Sequence, residues 1–196
     1  MAILNKKSKT AVRKKIVDFL NSSSGQVDPR PGKYGCGLIH KNALVLATCA
    51  HNKPRATTLE FFNEGLTLYI LGEPGGKIAN IKRNPLVSAV VYEQLLDHSK
   101  FQKHLQIFGK AELINMRNNP RLFRSKLRKW NIYNVAKKLF SPTTKEKKLS
   151  EKEIEKMINK GLASLNVIKI SPHHIILKEY YPDFVPKKYE WKKAGS

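Results

Sequence analysis

The residues best suited to chemistry lie between Arg55 and Gln106 of this 196-residue chain. Gly75-Gly76-Lys77 opens a segment with helical spacing. Such a bend offers what an anion needs: backbone N–H groups that glycines leave accessible, the partial positive charge of a helix start, and the full charge of a lysine. Arg55 follows a proline at the head of a strand-like run in which Thr57 and Thr58 carry hydroxyls. His104 and Gln106 alternate onto one face of a later run, where an imidazole and an amide can meet a ligand. Taken singly, each also has an ordinary structural use: the glycines as a turn, Arg55 as a solvated charge, the threonines as strand formers, His104 as a satisfied polar group. Cys36 and Cys49 lack the spacing of a metal or redox pair and make no disulfide framework, which fits a reducing compartment and an expected cytoplasmic location.

Hydropathy patterning predicts the elements that hold these residues. Val12, Ile16, Phe19 and Leu20 give one apolar stripe, so residues 9–21 are expected to be helical, with Asp28 to Gly32 as a linker. Short β-branched or aromatic runs follow at Leu44 to Ala50, Arg55 to Phe62, Leu66 to Leu71, Leu86 to Tyr92 and Phe101 to Ile114. Their tight separators require antiparallel pairing. Lys77 to Asn84 interrupts them as a short helix stopped by Pro85. Residues 115–162 read as helical, with a break near Asn131 between the Phe123, Leu127, Trp130 stripe and the Ile132, Ala136, Leu139 stripe, and with Ser150 and Glu153 as a capping box. Two final strands, Leu165 to Ile170 and His174 to Tyr180, are expected on either side of Ser171-Pro172. The fold class is mainly β with α: an antiparallel barrel of six to seven strands, an N-terminal helix, and a helical insertion. One domain over 1–196 is expected: helix and linker 1–33, barrel 34–114 and 163–181, insertion 115–162, tail 182–196.

The order of these pieces resembles the pyridoxamine 5'-phosphate oxidase-like flavoproteins. The resemblance rests on Val45 to Ala50, Pro54-Arg55, Ala56 to Phe62, Leu68-Tyr69-Ile70, the Gly72 to Lys77 loop, Asn84-Pro85, Val87 to Tyr92, Leu105 to Glu112 and the closing Ile168 to Ile176. It implies a split β-barrel that binds FMN and forms homodimers with the cofactor between subunits. Residue by residue, it implies that Arg55 joins Lys77, Gly75 and Gly76 on the phosphate, and that Ala56, Thr57, Thr58 and Leu59 run along the isoalloxazine ring. Tyr69 and Ile70 would line the same site. His104 stands where the oxidase has a glutamine that contributes to the flavin site, with Gln106 on the same face. The sequence departs from the oxidase at Glu60, where a lysine stands, and at Gly75 and Gly76, where a serine and an arginine stand in a loop one residue shorter. Tyr189-Glu190-Trp191 is similar to the oxidase end, but the arginine and histidine substrate motif that follows there has no counterpart before Ser196. The implied function is FMN-dependent transfer of hydride or electrons between a reduced donor such as NAD(P)H and a small-molecule acceptor, with vitamin B6 oxidation not expected. Relatives of the same fold use the deazaflavin F420 or heme, and His173 and His174 would be the pair to test for heme.

Charge adds a competing reading. The formal net charge is +22, and the excess sits in the flanks: eleven basic residues and the single acid Glu146 lie between Arg117 and Lys148. A solvated basic helix explains this, and so does a nucleic-acid or anionic surface made by Arg121, Arg124, Lys126, Arg128 and Lys129 on a barrel scaffold. No apolar run is long enough for a membrane-spanning helix, and no apolar stretch follows the basic N-terminus as in a secretory signal.

Overall fold

The computed structural model describes residues 6–27, 38–93, 102–138, 149–180 and 186–195. The expected linker Asp28 to Gly32, Cys36, Phe101, Leu139 and the run from Lys145 to Lys148 lie outside them. In chain order the elements are α1 (Lys6–Ser23), β1 (Gln26–Val27), β2 (Leu38–Ile39), β3 (Leu44–Ala50), β4 (Lys53–Leu59), β5 (Phe62–Glu64), β6 (Thr67–Gly72), α2 (Gly76–Arg83), β7 (Leu86–Tyr92), β8 (Gln102–Ile114), α3 (Pro120–Lys129), α4 (residues 132–138), α5 (Glu151–Ala163), β9 (Asn166–Tyr180) and β10 (Lys187–Lys192).

Eight strands form one antiparallel sheet in the order β4-β3-β7-β8-β9-β6-β5, with β10 also paired to β9, while β1 and β2 make a separate two-stranded ribbon. Alternation sets the faces. Leu44, Leu46, Thr48 and Ala50 of β3 point inward, as do Val87, Ala89 and Val91 of β7 and Leu105 and Ile107 of β8. Ile16, Phe19 and Leu20 of α1 and Ile78 and Ile81 of α2 complete that core. The architecture is the split barrel expected, with one strand more than the upper count.

Several boundaries differ from the expectation, and the run expected as one strand from Arg55 to Phe62 is divided, β4 ending at Leu59 and pairing with β3 while Phe62 opens β5 and pairs with β6. β9 is one 15-residue strand, not two divided at Ser171-Pro172. On β8, Phe108 pairs with His174 and Gly109 with Pro172, so His173 is bulged out of the ladder. A proline is tolerated in a sheet at such a place, and a Cβ on Gly109 would lie 2.8 Å from the Ser171 carbonyl oxygen, so the close approach needs glycine. The bulge lets the first half of β9 pair with β6 and the second half with β10. β10 itself falls in the stretch expected to be a tail. Tyr189 and Trp191 alternate toward the core, and Lys15 of α1 reaches both the Tyr189 hydroxyl and Glu179 at 3.2 Å.

The helical insertion has its own core. Asn119 caps α3 by accepting from Leu122 N at 3.1 Å, with Pro120 at the first helical position. The chain then breaks where expected: Asn131 adopts φ 57°, a left-handed value that asparagine tolerates. The Ser150 and Glu153 capping box is formed in both directions at the start of α5. Phe123, Leu127, Trp130, Ile132, Ala136, Ile158 and Leu162 pack on Phe62, Tyr69, Ile114 and Val167 at one end of the sheet.

Candidate functional site

Helix α2 is held across β3 by two buried isoleucines and two asparagines. Asn80 Nδ2 donates to Thr48 Oγ1 at 3.2 Å, and Asn84 Nδ2 to the Cys49 carbonyl at 3.1 Å. Among the described residues no side chain caps its N-terminus. Gly75 stands at the N-cap with φ 154° and ψ −167°, a conformation essentially reserved for glycine. The first-turn N–H groups are therefore left for a ligand or solvent.

Arg55 arrives at the same point from β4. It pairs in register with Thr48, the residue that receives Asn80, so one cross-strand pair sets both the arginine and the helix. Its guanidinium lies directly on Gly76: the position a Cβ would occupy there is 2.6 Å from Nε and 2.8 Å from Nη2. Gly76 is thus required by contact and Gly75 by backbone conformation. An uncapped helix start, Lys77 and a guanidinium together form an anion seat.

Next to this seat lies a cavity of about 320 Å³, within the size range of small-ligand pockets. Leu59, Phe62, Leu71, Ile132 and Leu165 give it an apolar wall, and Thr58 and Lys77 are polar members. Glu60 and Glu73 also border it, so the surroundings are less basic than the seat itself. Among the described residues β4 is an edge strand bonded only to β3, which leaves alternate backbone N–H and C=O groups of Arg55 to Leu59 unused by that ladder.

The twelve residues singled out in the sequence do not all converge. Arg55, Gly75, Gly76 and Lys77 meet at the seat, and Thr58 and Leu59 border the cavity. Thr57 is half-buried, on the same face of β4 as Arg55. Tyr69 and Ile70 are buried, Tyr69 under the helical insertion and Ile70 in the barrel core. His104 and Gln106 lie on the opposite sheet face from the inward core. Gln106 shares a row with Val90, Val45 and Thr58, roughly 14 Å from Thr58 across three strand spacings. His104 stacks on Tyr180 at 5.2 Å, and burial together with the Lys178 charge lowers its pKa, leaving the ring neutral near pH 7.

One cluster was missed in the sequence. Lys126 of α3 is buried, donates to Glu64 Oε1 at 2.6 Å, and sits 4.1 Å above the Tyr69 ring, while Lys129 reaches the same oxygen at 2.7 Å. Burial raises the Glu64 pKa, but the hydrogen bonds and charges of Lys126 and Lys129 outweigh it and bring the carboxyl down to about 2. Trp130 stacks on Phe62 at 4.4 Å beside them. The signal was present: Lys126 falls three residues after Phe123 and four before Trp130, inside the apolar stripe. Of the five cations expected to make a nucleic-acid surface, Lys126 and Lys129 are committed to Glu64, and Arg121, Arg124 and Arg128 remain exposed.

Among the described residues no cluster of His, Cys, Asp and Glu is arranged to hold a metal, and no helix is long and apolar enough to cross a membrane. No curated protein sequence matches the chain. Among solved structures, PhzG from Burkholderia lata 383, in complex with tetrahydrophenazine-1-carboxylic acid, is 12% identical, with 80% of this chain and 78% of that one covered at a TM-score of 0.51; it shares the fold. A FAD-binding protein from Mesorhizobium loti is 21% identical over 70% of this chain and 86% of its own, with a TM-score of 0.45. General Stress Protein 26 from Bacillus anthracis str. Sterne is also 21% identical, over 76% and 90%, with a TM-score of 0.42. The profile of the family described as pyridoxamine 5'-phosphate oxidase matches residues 36–177, so the chain belongs to that family.

Proposed function

We propose that this chain is an FMN-binding oxidoreductase acting as a homodimer. The observation that carries the reading is the convergence of the Arg55 guanidinium, Gly76 and Lys77 at the uncapped start of α2, beside a cavity along an edge strand. The residues fit the cofactor. A phosphate monoester of nearly two negative charges matches two cations and a bare helix start. A flat aromatic ring system matches the apolar wall of Leu59, Leu71, Ile132 and Leu165, and free strand-edge N–H groups match acceptor atoms at a ring edge.

When bound, FMN supplies the hydride and electron chemistry, moving reducing equivalents from a donor such as NAD(P)H to a small acceptor. The protein binds, orients and shields. Arg55, Lys77 and the α2 N–H groups fix the phosphate end. Thr58 and the β4 backbone orient the ring, and Ile132 and Leu165 keep water from one side of the cavity.

His104 and Gln106 cannot reach the cavity of their own chain. They lie on a sheet face that also exposes Leu86, Tyr92 and Phe108, with Leu86 61% and Phe108 37% accessible. A second copy seated on that face would cover these apolar groups and bring the neutral His104 and Gln106 toward its partner's cofactor. The test is a visible absorption spectrum of freshly purified protein, mass spectrometry of the heat-released compound, and size-exclusion chromatography. A flavin spectrum with a mass matching FMN on a dimeric particle is expected. A colourless protein that fails to quench FMN fluorescence refutes the reading.

A further inference from the structure

Glu60 follows β4, roughly 16 Å from Arg55 along an extended chain, and borders the cavity beside the anion seat. Glu73, in the loop between β6 and α2, borders it too, and Lys77 is the only cation on that wall among the described residues. Elsewhere in this basic chain many carboxylates are neutralised: Glu64, Glu93, Glu112, Glu179 and Glu190 each pair with a lysine. Glu60 and Glu73 pair with no lysine or arginine among the described residues, and both are exposed, Glu60 with 75% of its side chain accessible. Once a phosphate engages Lys77, the remaining charge on the cavity rim is negative.

His40 supplies an independent sign. Its ring lies edge-on to Phe62, a residue of the cavity wall, with centroids 5.4 Å apart, and packs so closely on Gly25 that a Cβ there would lie 2.3 Å from its Cε1. Only 11% of the side chain is accessible, and neither ring nitrogen has a hydrogen-bond partner among the described residues. The Glu60 carboxylate stands 3.4 Å from Nε2 without making the bond. Burial lowers the His40 pKa against the opposing pull of the Glu60 charge and the Phe61 backbone, so the ring is neutral near pH 7 and leaves the charge of Glu60 uncompensated. A neutral imidazole carries one N–H, and burying it unpaired is costly. A small turn of Glu60 would let Oε2 accept from Nε2–H and leave Oε1 to a ligand in the cavity. A cation on that second oxygen holds the carboxylate in such a pose.

We infer that the small-molecule acceptor carries a cationic nitrogen, a protonated amine, bound by Glu60 and Glu73, with His40 as the positioning residue of Glu60. The inference rests on the flavin reading proposed above and names the substrate class of that site.

The experiment titrates the full chain, FMN-loaded and cofactor-free, with benzylamine, benzyl alcohol and benzoate, three probes that share a ring and differ in charge, by calorimetry near pH 7. The same titrations are run on Glu60→Gln and on Glu60→Gln/Glu73→Gln. These substitutions are isosteric and lie at exposed positions, so the variants are expected to keep native circular dichroism. Benzylamine should bind the native chain at least about tenfold more tightly than the other two probes, and the double variant should lose that preference while FMN affinity does not fall. In nitrogen NMR, benzylamine should move the His40 ring resonances of the native chain and leave those of Glu60→Gln in place, a response that a merely packed ring would not give. Equal affinity for the three probes, no benzylamine binding, a preference that survives in the double variant, or His40 resonances that ignore benzylamine overturns the inference, and with FMN still bound the flavin reading stands. If FMN fails to bind but the benzylamine preference depends on Glu60, the cation site stands and the flavin reading falls.

Discussion

Replacing Gly76 with alanine separates binding from folding. A Cβ at this position would lie 2.6 to 2.8 Å from three atoms of the Arg55 guanidinium, closer than real contacts allow, so the arginine must swing off the helix start. The movement costs little stability because the displaced group is the end of a flexible, exposed side chain. The backbone at Gly76 is not in the left-handed region, and alanine is the better helix former by about 0.5–1 kcal/mol. The melting temperature should therefore hold or rise by roughly 2 °C for a chain of this size. The ligand loses one charge-assisted contact, worth about 1.5–3 kcal/mol, which corresponds to roughly 10- to 150-fold weaker FMN binding. Differential scanning calorimetry and FMN fluorescence quenching on the same sample read the two quantities. If FMN affinity in Gly76→Ala equals that of the native chain, Arg55 does not act at the α2 start and the seat is wrongly assigned.

Other consequences are equally open to measurement. Glu64→Gln leaves the buried Lys126 ammonium without its counter-charge and should cost roughly 3 kcal/mol in urea unfolding, whereas Glu64→Gln with Lys126→Met should recover most of it. Because the folded Glu64 pKa lies near 2, below its ordinary 4.5, its contribution is complete above about pH 4.5 and disappears as pH falls toward 2. Urea midpoints should decline over that window in the native chain and change less in Glu64→Gln. Asn131→Ala should destabilise by about 1 kcal/mol and Asn131→Gly by close to zero, since the position needs positive φ. Leu86→Glu with Phe108→Glu, both at exposed sites, should retain native circular dichroism yet elute as a monomer with diminished flavin.

Strands β3 and β7 were legible to the residue because their buried and half-buried positions alternate without interruption. The break at Asn131 and the Ser150 capping box were legible for a similar reason: each depends on local geometry that local residues encode. β10 was not legible. Four of its six residues are charged, and only Tyr189 and Trp191 mark its period, so its existence follows from pairing with β9 and from Lys15, far away in the chain. The continuity of β9 was hidden because Pro172 reads as a terminator, and only Gly109 on the opposite strand makes room for it. At the site, the glycine bend and Lys77 announced an anion seat, but the placement of Arg55 on Gly76 depends on the Thr48 register and on Asn80. The separation of His104 and Gln106 from that seat depends on strand order, which pattern alone does not specify.

The central claim is that the start of α2, with Arg55 and Lys77, grips a phosphate. It is tested most directly by comparing the affinities of FMN and riboflavin, which differ only in that group, in native protein and in Arg55→Gln. FMN should bind at least about tenfold more tightly than riboflavin to the native chain, and the ratio should collapse toward one in the variant while riboflavin affinity is unchanged. Equal affinity of the native chain for the two ligands would contradict the account.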